Sequence, residues 1–178
     1  NSSTVICLGE YGVGKSALIR ELEREIIARG GFSAKGAHNP ITVDVPYTAV
    51  TAVLNDLGKQ LLTRSDFSDR RTAITRKLVG LEEPILSMAP DLAQILEYVP
   101  GNAPLQTINS KERLVRGIRA VFSELADASS PLVISLENLH WIDSASIDIF
   151  EDLFTQQNLP YVMLLGSFRS RELEDESA

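Results

Sequence analysis

An eight-residue segment near the start of the chain, GEYGVGKS, occupies residues 9–16. It has the spacing GxxxxGK[ST], which is typical of loops that bind the phosphates of a nucleotide. An apolar run at residues 5–8 precedes it, and apolar residues at helical spacing follow it, so we expect a buried parallel strand, the loop, and a helix over residues 16–29. The backbone N–H groups at the start of such a helix converge on an anion. The segment, hereafter the phosphate loop, therefore predicts a nucleoside triphosphate site.

Several positions of the phosphate loop have distinct expected roles. Gly12 and Gly14 allow the backbone to approach the phosphates with no Cβ in the way. Lys15 is expected to neutralise the β- and γ-phosphates, and the Ser16 hydroxyl to bind Mg²⁺. No Asn-Lys-x-Asp sequence, which would recognise guanine, occurs in the chain, so the expected ligands are ATP or ADP with Mg²⁺. The predicted nucleotide-binding residues are Gly9, Tyr11, Gly12, Val13, Gly14, Lys15, Ser16 and Ala17.

Composition narrows the expected partners and compartment. The chain has 178 residues and a net charge of −7 without a cluster of Lys and Arg, which disfavours direct nucleic-acid binding. No apolar stretch approaches the roughly 20 residues of a membrane span, and no signal peptide is visible. The single cysteine, Cys7, cannot form an internal disulfide. We therefore expect a cytoplasmic domain with no direct nucleic acid and no membrane partner. The abrupt start and charged tail predict a single domain over residues 1–178 that is a fragment of a larger multidomain protein.

Apolar strands alternate with amphipathic helices along the chain. Further strands are predicted at residues 32–34, 132–136 and 161–165, and helices at 50–63, 69–79, 91–97, 109–128 and 144–153. Residues 35–46 form either an extra strand or an ordered excursion, and the prolines between residues 81 and 108 permit only short helical pieces. This alternation predicts an α/β fold, a parallel sheet with helices on both faces in three layers.

Three of the predicted strands end in candidate site residues, at the edge of the sheet where ligands of such folds bind. Glu137 follows the third strand and is the predicted Mg²⁺ carboxylate, although an acidic residue leaving a strand for solvent is an alternative. Asn138 can orient a water but is a poor general base, because an amide does not accept its proton. Arg169 ends the fourth strand, where it either contacts the γ-phosphate or is an exposed arginine. Glu137, Asn138 and Arg169 are the candidate catalytic residues, and Ser16 with Glu137 the candidate metal ligands.

The turn after Glu137 and Asn138 offers three further residues. His140 either hydrogen-bonds the attacking water or faces solvent. Trp141 is better explained as a packing anchor than as a stacking partner for adenine. Asp143 precedes Ser144 and is expected to cap the following helix.

Four segments together resemble a known family: GEYGVGKSALIREL (9–22), Pro46 with Tyr47 opening a helix, PLVISLENLHWIDSASIDIF (131–150) and LLGSFRSRELED (164–175). They look like the AAA-type ATPase module of STAND signalling NTPases, as found in multi-domain sensor histidine kinases and large transcriptional activators. The resemblance implies a truncated P-loop NTPase core whose fourth strand lies between the first and third, which would bring Arg169 beside the phosphate loop. It also implies neighbouring signalling domains of the same polypeptide, and nucleotide-dependent self-association, as partners.

The resemblance also sets an expectation for the chemistry. In that family two aspartates end the third strand, and here Glu137 takes the first acidic position while Asn138 takes the second. Gly166 and Arg169 keep the family's Gly-x-x-Arg sensor of the γ-phosphate. The leading expectation is therefore an ATP/ADP-binding regulatory switch with slow or absent hydrolysis. The alternatives are an active Mg²⁺-dependent ATPase, and an interaction scaffold with a vestigial nucleotide site.

Overall fold

The computed structural model describes residues 3–10, 12–36, 45–99, 110–155 and 159–169, with the backbone alone for Ser110 and Arg169. The strands are β1 (Ser3–Gly9), β2 (Phe32–Lys35), β3 (Leu132–Leu136) and β4 (Val162–Arg169). The helices are α1 (Lys15–Ala28), α2 (Thr48–Leu62), α3 (Phe67–Leu78), α4 (Glu82–Leu86), α5 (Pro90–Ile95), α6 (Ser110–Leu125) and α7 (Ser144–Thr155), and a 3₁₀ turn covers Leu139–Trp141.

The four strands form one parallel sheet in the order β1-β4-β3-β2. The predicted parallel α/β fold is confirmed, and so is the position of β4 between β1 and β3. In the pairing of β4 with its two neighbours, Gly9 lies opposite Arg169, and Leu136 lies opposite Gly166. The carboxyl ends of β1, β3 and β4 therefore meet at one edge of the sheet, and that edge carries the candidate site.

Helices cover both faces of the sheet. On one face α1 packs through Ile19 against Val133 and Leu165. On the other face α2, α6 and α7 bury a larger apolar core that includes Ile134. All five residues of β3 are buried, which is the reason its sequence is a nearly continuous apolar run. The predicted three-layer arrangement is confirmed.

The strand β1 departs from the expectation that it is buried. Val5, Ile6 and Leu8 are 42%, 56% and 58% exposed. In the described part of the chain β1 pairs with β4 alone and forms an edge of the sheet, so its apolar side chains are covered from one side. An apolar run indicates that burial would stabilise a strand, but the number of neighbouring strands and helices determines how much of the strand is buried. The strand was predicted correctly, and its burial was not.

The ends of several elements also differ from the predictions. Strand β4 ends at Arg169 as expected, and it extends beyond the apolar run at 161–165 because residues 166–169 pair with β1. Helix α5 covers 90–95 rather than 91–97, since a proline is accepted in a first helical turn. Tyr11, Asn109 and most of the predicted excursion (37–44) lie outside the described residues. None of the helices in the described ranges has both the length and the apolar content needed to cross a membrane.

Helix α6 ends three residues earlier than the predicted limit of 128, because polar side chains form a turn beyond it. Asp127 accepts hydrogen bonds from both the backbone N–H and the hydroxyl of Ser129, at 2.8 and 2.6 Å. Arg70 of α3 donates to the last carbonyls of α6, those of Glu124 and Leu125, at 2.7 and 2.9 Å. It also donates to Asp127 at 3.0 Å. The Ser129 hydroxyl and then Arg70 lower the pKa of Asp127 to about 2.

One buried carboxylate joins the starts of α2 and α7. Asp143 is 3% exposed and accepts hydrogen bonds from the N–H and the hydroxyl of Ser146, both at 2.8 Å. It also accepts from the backbone N–H groups of Tyr47, at 2.7 Å, and Ala49, at 3.3 Å. The predicted helix cap is confirmed, and the same side chain caps a second helix 96 residues away in sequence.

Candidate functional site

The phosphate loop connects β1 to α1 through two glycines with positive φ. Gly12 has φ 83° and Gly14 has φ 96°, conformations that L side chains rarely adopt. The Gly14 carbonyl accepts the N–H groups of Ala17 and Leu18, both at 3.0 Å, and so begins α1. The preceding N–H groups have no partner within the helix, as at any helix start, and form a site for an anion. The local sequence therefore produces the loop geometry expected of a phosphate-binding site.

Lys15 lies across the loop that precedes it. Its ammonium donates to the carbonyls of Gly9, at 2.7 Å, and Glu10, at 2.8 Å. An ammonium has three N–H donors, so two are used by the loop itself and one remains. A phosphate that enters the loop therefore meets a cation that is already held in position by its neighbours.

The structure brings the two predicted metal ligands into direct contact. The Ser16 hydroxyl, in the first turn of α1, donates a hydrogen bond to the carboxylate of Glu137, which follows β3. The two residues are 121 positions apart, so the contact arises from the fold. Within the described residues no three His, Cys, Asp or Glu side chains form a metal cluster. Mg²⁺ at nucleotides uses few protein oxygens and completes its octahedron with phosphates and waters, so this hydroxyl–carboxylate pair fits it.

Asn138 is held against β4 by its backbone. It has a left-handed conformation, φ 52° and ψ 61°, which asparagine tolerates better than most residues. Its N–H donates to the Ser167 hydroxyl at 3.2 Å, and its carbonyl accepts the N–H of Trp141 at 2.8 Å. Residue 138 is thereby fixed at the carboxyl edge of the sheet.

The phosphate loop opens onto a cavity of about 370 Å³, hereafter the phosphate cavity. Its volume is within the range of small-ligand sites. A larger cavity of about 550 Å³ lies between α2, α3 and α5 and contains none of the predicted site residues. The phosphate cavity is lined by Gly12, Gly14, Lys15, Ser16, Ala17, Arg20, Asn138 and Ser167.

Some predicted site residues are not among those that line the phosphate cavity. Gly9 ends β1 at the base of the loop, and Val13 is 62% exposed at its outer side. Tyr11 lies outside the described residues. The backbone of Arg169 pairs with Gly9, which places residue 169 alongside the first residue of the phosphate loop.

Gly166 of β4 allows the side chain of Leu139 to pack closely over the strand. A Cβ atom at this position would lie 2.9 Å from Cδ1 of Leu139, a distance that real Cβ contacts essentially never show. The 3₁₀ turn after Asn138 therefore packs directly over β4. The turn after β3 and the strand that ends at Arg169 are in contact through this glycine.

The rings of the 3₁₀ turn form a small cluster. The centroid of the His140 ring is 4.9 Å from that of Trp141 and 5.9 Å from that of Phe168 on β4. Both ring nitrogens of His140 are buried, so the alternative in which this histidine faces solvent is wrong. Trp141 is 37% exposed and packs against His140, as expected of a packing residue.

Sequence reasoning missed two residues of the phosphate cavity. Ser167 follows the conspicuous Gly166 and is 3% exposed, but a serine within an apolar strand carries no signal of its own. Arg20 is four residues after Ser16, and this spacing places two residues on the same face of a helix. The four-residue spacing from Ser16 was the signal that could have identified Arg20 as a residue of the site.

Comparison with known proteins agrees with this geometry. The family model of the AAA ATPase domain matches residues 1–165 of the 178-residue chain. No curated protein matches the chain. The matched region contains the phosphate loop, the Ser16–Glu137 contact and most of the sheet. Because the match covers most of the sequence and the parallel sheet places the phosphate loop as a nucleotide-binding fold requires, this chain belongs to the AAA ATPase domain family.

Proposed function

We propose that this chain is the nucleotide-binding switch of a signalling protein, which binds ATP and ADP with Mg²⁺ and hydrolyses ATP slowly or not at all. The observation that carries the proposal is the direct contact between Ser16 and Glu137, followed immediately by Asn138. The contact supports a metal–nucleotide site. The amide beside it argues against rapid hydrolysis.

Nucleotide binding uses groups that the fold already holds in place. The N–H groups at the start of α1 bind the phosphates, and Lys15 adds a positive charge held at 2.7 and 2.8 Å from two loop carbonyls. When bound, Mg²⁺ would neutralise charge on the β- and γ-phosphates. Ser16 and Glu137 would hold it by exchanging their mutual hydrogen bond for the metal.

Slow hydrolysis follows from the groups at the end of β3. Attack of water on the γ-phosphate requires that the water be oriented and that its proton be accepted. The Asn138 amide orients a water but does not accept a proton at neutral pH. Glu137 is the carboxylate in contact with Ser16, so its use as a base would compete with its use as a metal ligand.

The switch is proposed to act through β4. The Ser167 hydroxyl accepts the Asn138 N–H at 3.2 Å, and Leu139 packs over Gly166. A difference between ATP and ADP at the edge of β3 therefore reaches the strand that ends at Arg169, the proposed γ-phosphate sensor. A ligand shifts a conformational equilibrium only by its difference in affinity for the two states. The proposed recipients of the shift are neighbouring domains of the same polypeptide, or a second copy.

A binding measurement tests the first half of the proposal. We expect calorimetric titration to detect ATP-Mg²⁺ binding that Lys15→Ala weakens by roughly 100-fold, the loss of a charged contact to phosphate. Lys59→Ala is the control, because the Lys59 ammonium lies 2.9 Å from the Asp91 carboxylate and does not line the phosphate cavity. No binding to the complete polypeptide that carries this domain would support a vestigial site instead.

A turnover measurement tests the second half. We expect the wild-type complete polypeptide to release phosphate slowly, and Asn138→Asp to raise the rate by roughly 100-fold, the lower range of general-base catalysis. Rapid turnover by the wild type, with no gain from Asn138→Asp, would show that the chain is an ordinary ATPase. It would refute the proposal that the switch hydrolyses ATP slowly or not at all.

A further inference from the structure

We propose that Arg20 binds the γ-phosphate of ATP from the side of α1 and thereby helps the site to distinguish ATP from ADP. The inference rests on the proposed nucleotide-binding function and adds a residue to it. Arg20 lines the phosphate cavity together with Lys15, Ser16 and Asn138.

The position of Arg20 on α1 explains how it reaches that cavity. It lies one helical turn after Ser16, so the two side chains share a helix face. That face is directed at the end of β3, because Ser16 donates to Glu137. Long helical side chains extend towards the helix N-terminus, which in α1 is the phosphate loop. Arg20 is therefore directed back to the Ser16–Glu137 pair.

The other residues of the cavity indicate which phosphate Arg20 meets. Loop N–H groups surround the α- and β-phosphates, whereas the Mg²⁺ ligands lie at the β- and γ-phosphates. Asn138 and Ser167, at the carboxyl edge of the sheet, line the same cavity as Ser16 and Arg20. We therefore expect an arginine on the Ser16 face of α1 to lie nearer to the γ-phosphate than to the α-phosphate.

Charge pairing along α1 singles out Arg20 among the arginines of this helix. Arg24 forms an ion pair with Glu21, and Arg29 forms one with Glu25 at 2.7 Å. In the described part of the chain no carboxylate pairs with the Arg20 guanidinium. Lys15 already donates to two carbonyls, and Arg20 supplies a second positive charge at the cavity. A guanidinium matches two phosphate oxygens at once, which makes it suited to a terminal phosphate.

The test compares ATP-Mg²⁺ with ADP-Mg²⁺ by calorimetric titration of the wild type, Arg20→Ala, Arg20→Lys and Arg24→Ala at fixed ionic strength. We expect Arg20→Ala to raise the Kd for ATP roughly tenfold or more, as for a lost charge-assisted hydrogen bond, while the Kd for ADP changes less than about threefold. Arg20→Lys should recover part of the ATP affinity, and Arg24→Ala should match the wild type. Equal urea midpoints of the four proteins would show that folding is unchanged.

Two outcomes would overturn the inference alone. Equal losses for ATP and ADP would place Arg20 at a phosphate shared by both nucleotides, and unchanged affinities would remove it from the site. In both cases the wild type still binds ATP and Lys15→Ala still weakens that binding, so the proposed function survives. A wild type that binds neither nucleotide would refute the proposed function together with this inference.

Discussion

Replacement of Asp143 by alanine should destabilise the fold strongly, because this buried carboxylate caps two helices. Its two oxygens accept four hydrogen bonds, two from Ser146 and two from backbone N–H groups at the start of α2. Loss of a helix N-cap costs about 1 kcal/mol, and here two caps are lost. The Ser146 hydroxyl, which is buried, loses its acceptor at a further cost of about 1 kcal/mol. We therefore expect a loss of about 3 kcal/mol.

Urea denaturation followed by circular dichroism measures this loss. With a slope of about 2 kcal/mol per M for a domain of this size, the midpoint of Asp143→Ala should fall by about 1.5 M. Asp148→Ala is the matched control, since this aspartate is exposed on the same helix, and it should shift the midpoint by less than about 0.3 M. Amide exchange at Tyr47 and Ala49 should accelerate in Asp143→Ala and not in the control.

Equal urea midpoints for Asp143→Ala and Asp148→Ala would contradict the proposed stabilisation of two helices by Asp143. That result would mean that water or rearranged side chains satisfy the starts of both helices at no cost. The urea midpoint of Asp143→Asn should lie between those of the wild type and Asp143→Ala. The asparagine amide keeps one acceptor oxygen, but its NH₂ group faces hydrogen-bond donors.

Three further perturbations test other contacts of the fold. Arg70→Ala should lower stability by about 2 kcal/mol in urea denaturation, since the end of α6 loses its donors, and an unchanged midpoint would contradict this. The Ser129 hydroxyl and Arg70 lower the pKa of Asp127 from 3.8 to about 2. The ionised Asp127 therefore adds fully to the free energy of unfolding above about pH 4, and this stabilisation is lost as the pH falls through 2. Asp127→Asn should therefore lose less stability than the wild type between pH 5 and pH 3, and equal losses would exclude this contribution. Gly166→Ala should displace Leu139 and weaken ATP binding more than a surface substitution does, which titration would detect.

The parts of the site that could be predicted from sequence are those made by contiguous residues. The phosphate loop is one such part, because its glycines, Lys15 and Ser16 are adjacent in sequence and their spacing alone identifies the motif. Strand β3 is another, since its nearly continuous apolar run indicates burial on both faces and places Glu137 and Asn138 directly after it. The position of β4 came from the family resemblance rather than from spacing.

The remaining features depend on contacts between distant residues. The hydrogen bond between Ser16 and Glu137, and the place of Arg20 in the cavity, exist only after the strands are ordered. The exposure of β1 depends on which strands flank it, which its own apolar residues do not encode. The sequence also did not predict that Asp143 caps a second helix. The position of an aspartate in the sequence indicates only the helix that directly follows it.

The pairing of β1 with β4 also fixes the distance between the phosphate loop and residue 169, the proposed γ-phosphate sensor. Residue 169 lies opposite Gly9, so its distance from the phosphate loop is set by the register of two strands. Side chains alternate between faces, so the smallest slip that keeps the same face towards each layer is two residues, or roughly 6.6 Å. That step exceeds the length of a hydrogen bond, so small shifts in register cannot adjust the distance between the proposed sensor and the phosphate loop. Insertions or deletions within β4 should therefore uncouple nucleotide sensing altogether rather than tune it.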